Sequence, residues 1–299
     1  MSDTEKEFLR RRRSFLASCA FMGLAGGLAI QARAQPGARV ALIVGNGRYP
    51  GAPLANAVND AELMASTARA LQFKVSLLLN ATNASLLDAV KLWLAETVQA
   101  EVRMLYFAGH GAQYRGRNFL IPVDARLRSE DDLPAAAFSV NDLADRLSRF
   151  SSGVSVVILD ACRSIPSLTP STGMRLRGTT EAPWTPGFLA AMAPKGSLIA
   201  YSTSPGAVAA DSPQQKNGLY TRHLAAHMST PGLPIEEVFK RTRAAVLQES
   251  AGTQIPWETS SLVGEFCFAL NSAGRCGVES TSSGGNQRRP VDPPSFSSQ

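Results

Sequence analysis

Short apolar runs the length of single strands alternate along this chain with segments of helical period, and that alternation most limits the folds open to it. Val40 to Val44 reads as a buried strand closed by the turn Gly45-Asn46-Gly47. Phe73 to Leu79, Val102 to Phe107, Val154 to Leu159 and Ser197 to Ser202 have the same character. Between them Asn59, with Glu62 three residues on, predicts a helix start, followed by Leu63, Ala70 and Leu71 at helical spacing. Leu86, Leu87, Val90, Trp93 and Leu94 mark a second helical face. Further helices are predicted over Val140 to Phe150, from about Asn217 to Met228, and over Ile235 to Glu249, the last opened by Pro234. Arg115-Gly116-Arg117 reads as a hairpin tip before Phe119 to Ile121, and Leu262 to Leu270 as a final strand. Strands separated by helices predict an α/β sheet with crossover connections.

With 299 residues, 44% of them hydrophobic, the chain suffices for one α/β domain or two small ones with an ordinary core. There is no internal repeat. Arg10 to Arg13, a Gly/Ala-rich apolar stretch from Ala17 to Ile30, and Ala32-Arg33-Ala34 form the basic, apolar and small-residue order of an export signal over residues 1–34. Arg12-Arg13-Ser14-Phe15-Leu16 resembles a twin-arginine signal, which predicts a folded protein delivered to a periplasm with no stable membrane insertion after cleavage. Residues 1–34 carry six basic and three acidic side chains, so the net charge of +6 falls to +3 without them. No Lys/Arg run remains, which argues against nucleic acid as a partner. Of four cysteines, Cys19 belongs to the signal; Cys267 and Cys276 are candidates for a bridge, leaving Cys162 as a free thiol. A Ser/Thr/Pro/Gly-rich stretch over 166–186 reads as a linker, and 271–299 as a disordered tail.

Open α/β sheets bind ligands beyond the carboxyl ends of their strands. Two predicted strands lead there into reactive side chains, His110 in Gly109-His110-Gly111 and Cys162 in Asp160-Ala161-Cys162. A thiol attacks a peptide carbonyl as thiolate, and an imidazole can take its proton and return it to the leaving amine. Backbone N–H groups of Gly111 and Cys162 are the candidate oxyanion donors if the two strand ends are adjacent. Taken singly, a cysteine or histidine at a strand end is more often structural; it is the pair in these contexts that points to nucleophilic catalysis. His223 and His227 stand four apart on a predicted helix, but no third ligand lies near, and no metal site is expected.

These residues resemble the caspase-like superfamily of caspases, metacaspases and paracaspases. Tyr106-Phe107-Ala108-Gly109-His110-Gly111 is similar to its histidine motif, and Asp160-Ala161-Cys162-Arg163-Ser164, 52 residues after His110, to its cysteine motif. Val44-Gly45-Asn46 with Tyr49, Leu54, Asn56, Asn59 and Asp60 resembles the first strand and helix. Thr203-Ser204-Pro205-Gly206 with Asp211 resembles the small-subunit strand and loop, and Gln254 to Glu258 with Ser260-Ser261-Leu262 the end of bacterial members. The resemblance implies a caspase-like three-layer α/β/α sandwich with a mostly parallel central sheet over 35–270. Within it 39–165 is large-subunit-like and 187–270 small-subunit-like. It implies a cysteine endopeptidase acting on peptide or protein substrates, as monomer or homodimer. Arg163-Ser164 departs from both the caspase Arg-Gly and the metacaspase His-Ser-Gly.

Acidic residues occupy the positions that the resemblance assigns to the substrate pocket: Asp60, Asp160 and Asp211. A carboxylate pair suits a guanidinium fork, so cleavage after Arg is expected, with Lys second. Arg175 and Arg177 in the linker are then candidate self-cleavage points. No cofactor is required by this chemistry; calcium, which some family members need, is left open, since Glu130-Asp131-Asp132 reads first as a solvated loop. Two other classes compete. A caspase-fold scaffold without turnover has no chemical need for both His110 and Cys162, and a flavodoxin-like nucleotide binder lacks its phosphate loop at Gly45-Asn46-Gly47.

Overall fold

A computed structural model describes residues 37–162, 192–204 and 214–277, with Cys162 placed by its backbone. The expected signal 1–34, the linker 166–186 with Arg175 and Arg177, Asp211, and the tail from residue 278 on lie outside the described residues.

The apolar runs form β1 (Arg39–Gly45), β2 (Lys74–Leu79), β3 (Val102–Tyr114), β6 (Val154–Cys162) and β7 (Ser197–Tyr201). These five pair in parallel in the order β2-β1-β3-β6-β7, and β8 (Trp257–Ser260) closes the edge antiparallel to β7. β4 (Arg117–Leu120) and β5 (Phe138–Ser139) extend the sheet antiparallel beside the end of β3. Helices α1 (Ala57–Ala70), α2 (Asn83–Glu96), α3 (Leu133–Ala136), α4 (Val140–Leu147), α5 (Leu219–Met228) and α6 (Ile235–Glu249) make up the other elements of the described residues, together with a 3-10 turn at Glu130–Asp132.

Period-two alternation sends successive strand residues to opposite faces of the sheet. Ala41, Ile43, Met104, Tyr106, Val156, Ile158, Leu198 and Ala200 face one apolar layer built from α1, α5 and α6. Leu42, Val44, Leu105, Phe107, Val157, Leu159 and Ile199 face the other, built from Leu86, Val90 and Trp93 of α2 and Val140, Leu143 and Leu147 of α4. Both faces are therefore covered, which is why the central strands read as continuous apolar runs rather than alternating ones. This is the expected three-layer α/β/α sandwich with a mostly parallel sheet.

Several expectations need correction. α1 begins at Ala57, so Asn59 lies inside the helix and cannot cap it; the residue at the cap, Asn56, makes no side-chain capping bond and donates instead to the Gln215 carbonyl at 2.5 Å. β3 does not end at Phe107 but runs on to Tyr114, because its last residues leave the parallel sheet and pair with β4. The two-residue tip Arg115-Gly116 has positive φ at both positions, the backbone that joins two twisted strands most tightly. α4 stops at Leu147, short of Phe150.

The run Leu262 to Leu270 is not the final strand. Its Phe266, Cys267 and Phe268 are buried, but their neighbours Val263 and Leu270 are exposed, and the edge beside β7 is taken by β8. The carbonyl of Phe266 accepts from Ile235 N–H, and that of Phe268 from the Arg39 guanidinium. An apolar run reports burial, not which backbone satisfies its hydrogen bonds. Residues 271–277 are likewise part of the fold rather than a disordered tail: Gly277 N–H donates to Gly232, and Cys276 is disulfide-bonded to Cys267.

That disulfide closes a loop with a sequence separation of 9 and fastens the last described segment to the α5–α6 turn through the single bridge Pro234 to Cys267. A loop of this size contributes about 2–3 kcal/mol in the chain-entropy account. Reduction with dithiothreitol, or the paired change Cys267→Ser and Cys276→Ser, is expected to lower the unfolding free energy by that amount in urea denaturation.

Candidate active site

The site is built where the parallel pairing of β3 with β6 ends. Their parallel register runs from Val102 opposite Val154 to His110 opposite Cys162, the final pair. Register partners on neighbouring strands lie about 4.8 Å apart along the hydrogen-bonding direction. The sequence places both residues in loops beyond their strands; the structure places both within them, as the last rung of the ladder. Beyond that rung β3 turns its pairing to β4, with Gly111 opposite Leu120, so the strand end opens at the carboxyl edge of the sheet. Gly111 and Cys162, the expected oxyanion donors, are thus neighbours of the same rung.

The His110 side chain is 4% exposed and held from the β1–α1 loop. Its backbone N–H donates to the Tyr49 hydroxyl at 3.0 Å, and the two rings lie 4.4 Å apart at a tilt of 54°. The Tyr49 hydroxyl in turn donates to the Ile121 carbonyl at 2.9 Å. His110 Nε2 lies 2.8 Å from the Ala52 carbonyl. A carbonyl oxygen only accepts, so Nε2 carries a proton and, in the neutral ring, Nδ1 is the basic nitrogen. Gly109 is required by this packing: a Cβ there would stand 2.6 Å from the Tyr49 hydroxyl and 2.8 Å from the Phe107 ring.

Two of the three expected pocket acids come together on the α1/α5 side of the sheet. Asp60, in the first turn of α1 and 3% exposed, accepts on Oδ1 from Gly218 N–H at 2.8 Å and from Asn217 Nδ2 at 3.0 Å. It is a cap after all, but of the start of α5 rather than of its own helix. Asp160, two residues before Cys162, accepts on Oδ2 from the Thr221 hydroxyl at 2.6 Å, with the Tyr106 hydroxyl at 3.5 Å. Thr221 has one proton and gives it to Asp160, so the Tyr106 hydroxyl, 2.5 Å away, donates to Thr221. Burial first, then the Asp160 and Asp60 carboxylates, push the Tyr106 hydroxyl well above the usual tyrosine range, so it stays a neutral donor. Both acids thus act electrostatically on one buried hydroxyl. Asp211 lies outside the described residues.

Sequence reasoning missed Thr221, Asn217 and Gly218, and gave Tyr49 and Tyr106 no role of their own. Tyr49 and Tyr106 had a signal, since both stand among the motif residues; Thr221 had none, lying 61 residues from the carboxylate it serves.

The remaining candidates do not join the site. His223 Nε2 pairs with Glu249 at 2.8 Å, alongside Arg222 at 2.6 Å, on the outer surface of α5 and α6. His227 is pushed down from the usual histidine range by burial and by the positive charge of its neighbours His223 and Arg241. Asp132 accepts from the N–H groups of Arg128 and Ser129, closing the 3-10 turn, while Asp131 pairs with Tyr114 and Arg115 at the β3–β4 tip. Among the described residues no group of three or more His, Cys, Asp or Glu is placed to hold a metal ion, and no helix is long and apolar enough to cross a membrane.

A three-layer α/β/α sandwich around a mostly parallel sheet, with His110 and Cys162 on the last rung between its adjacent central strands, is the caspase class of fold. The chain matches the caspase-domain model of the peptidase C14 family over residues 38–267, and it belongs to that family. Over 128 residues it is 34% identical to the human mucosa-associated lymphoid tissue lymphoma translocation protein 1, and equally to its mouse homolog. The match covers 42% of this chain but 15% of each relative, so the chain spans a small part of the relatives it matches.

Two substitutions test how the histidine is held. Tyr49→Phe removes the acceptor of the His110 N–H and is expected to cost about 1–2 kcal/mol. Gly109→Ala forces Tyr49 away and is expected to cost about 1–3 kcal/mol by overpacking. Thermal unfolding measures both, and the His110 ring resonances in NMR should shift in each; unchanged resonances would show that Tyr49 does not set the ring.

Proposed function

We propose that this caspase domain is a cysteine endopeptidase with His110 and Cys162 as its dyad, cleaving peptides or proteins after Arg and, second, after Lys. The observation that carries the proposal is the register that makes the two residues partners on adjacent strands. In the proposed mechanism His110 Nδ1 takes the proton of the Cys162 thiol, and the thiolate attacks the scissile carbonyl carbon. The oxyanion that forms is met by the backbone N–H groups of Gly111 and Cys162. Collapse of the tetrahedral intermediate breaks the C–N bond, His110 protonating the leaving amine. A water deprotonated by the same imidazole then hydrolyses the thioester and frees Cys162.

The preference for Arg is supported by the two carboxylates Asp60 and Asp160 beside Tyr106, with Asp211 proposed as a third member. A guanidinium satisfies carboxylates through several fixed donors and resists deprotonation, which favours Arg over Lys in a desolvated pocket. Export through the Arg12-Arg13 signal is proposed for the whole chain, and the Cys267–Cys276 disulfide suits an oxidising compartment.

The purified chain offered fluorogenic peptides ending in Arg, Lys or Asp is expected to release dye from Arg first. Cys162→Ala and His110→Ala should lower kcat/KM by roughly 10³-fold or more. Asp160→Ala should lower it on the Arg peptide by roughly 10²-fold. Parallel reactions with calcium and with a chelator settle the ion. Absence of any Cys162-dependent release would favour a caspase-fold scaffold instead.

Self-processing in the linker follows from the same preference. Wild-type protein is expected to give two fragments with a new terminus after Arg175 or Arg177, and Cys162→Ala one intact band on denaturing gels. The same pattern from both proteins would assign the cut to another peptidase.

A further inference from the structure

We propose that the start of α5, residues Asn217, Gly218 and Thr221, is the positioning element that aims both pocket carboxylates at the substrate cation. This deepens the Arg-cleavage reading and rests on it. Asp60 and Asp160 come from different parts of the chain, a helix of one layer and the end of strand β6, and nothing in their local sequence orients either side chain toward the other. One short segment from the other half of the domain contacts both. Gly218 N–H and Asn217 Nδ2 converge on Asp60 Oδ1, at 2.8 and 3.0 Å. One helical turn on, the Thr221 hydroxyl fixes Asp160 Oδ2 at 2.6 Å, and Tyr106 buttresses Thr221 from the sheet. The segment is itself anchored, since the Gln215 carbonyl accepts from Asn56 Nδ2 at the head of α1.

Each contact has a steric or electrostatic reason to be specific. A Cβ at Gly218 would lie 2.9 Å from Asp60 Oδ2, so only glycine lets the carboxylate sit against the backbone N–H. Thr221 is fully buried, so its hydroxyl serves Asp160 and Tyr106 rather than water. α5 is ten residues long, and its partial positive N-terminal end favours ionised carboxylates beside it. Two like charges held near one another repel unless such donors compensate them, and the compensated pair presents a fixed anionic surface to a planar cation. Thr221, Asn217 and Gly218 act through Asp160 and Asp60; they are positioning residues, not catalytic ones.

The test reads binding, so that it does not depend on turnover. In a Cys162→Ala background, calorimetry compares a peptide amide ending in Arg with the same peptide ending in neutral citrulline. Thr221→Val keeps the shape and removes the donor; it is expected to lower the Arg-to-citrulline affinity ratio about tenfold, the equivalent of one charged hydrogen bond. Thr221→Ser should restore the ratio to within about twofold of the parent. Gly218→Ala should lower it as Thr221→Val does, by displacing Asp60, and decides the matter alone if Thr221→Val fails to fold. In the active enzyme the Thr221→Val loss on Arg peptides should fall mainly on KM. A parent-like ratio in folded Thr221→Val and Gly218→Ala, with the ratio lost in Asp160→Ala, overturns the positioning role and leaves Arg recognition standing. A parent-like ratio in Asp160→Ala as well overturns both.

Discussion

The parallel ladder between β3 and β6 is the constraint on which the site depends. It runs over nine rungs and leaves no freedom in which residues face each other at its end: once Val102 is set against Val154, His110 must meet Cys162. A slip of one residue would turn Tyr106 and Ile158 out of their apolar layer and Phe107 and Leu159 out of the other, so the two cores police the register from both sides. Burial of the apolar side chains on both faces thus fixes which backbone positions His110 and Cys162 occupy opposite each other.

Around this rung the chain spends irregular structure where direction matters. The β1–α1 loop brings Tyr49 and the Ala52 carbonyl to the imidazole and so selects its tautomer. The β3–β4 hairpin carries Gly111 out of the parallel ladder immediately after His110, and Asn46 ties the loops after β1, β2 and β4 together by accepting from Ala81 N–H and donating to the Ile121 carbonyl. On the other side the start of α5 meets α1 and β6. Each half of the domain therefore supplies part of the site, and neither half holds a complete one.

Much of the fold was legible because strand-length apolar runs and helical periods are local signals. β1, β2, β6, β7, α2, α5 and α6 stand where those signals put them, to within a few residues. The failures share a cause. In Leu262 to Leu270 it is Phe266, Cys267 and Phe268 that pack, whereas the edge position in the sheet went to the mixed-polarity Trp257–Ser260. Asn59 had the chemistry of a cap but stood inside the helix, and Asp60 beside it caps a helix far along the chain.

The sequence by itself determined the fold class and singled out the two candidate catalytic residues, since Gly-His-Gly and Asp-Ala-Cys at strand ends are written in contiguous residues. Tertiary structure alone decided that those residues share a rung, that the imidazole proton sits on Nε2, and that Gly218 donates to Asp60 and Thr221 to Asp160. The physical reason is the range of the interactions. Hydrophobic period and turn chemistry act between near neighbours in the chain, whereas strand register, a carbonyl at 2.8 Å and a hydroxyl 61 residues away exist once the layers have packed.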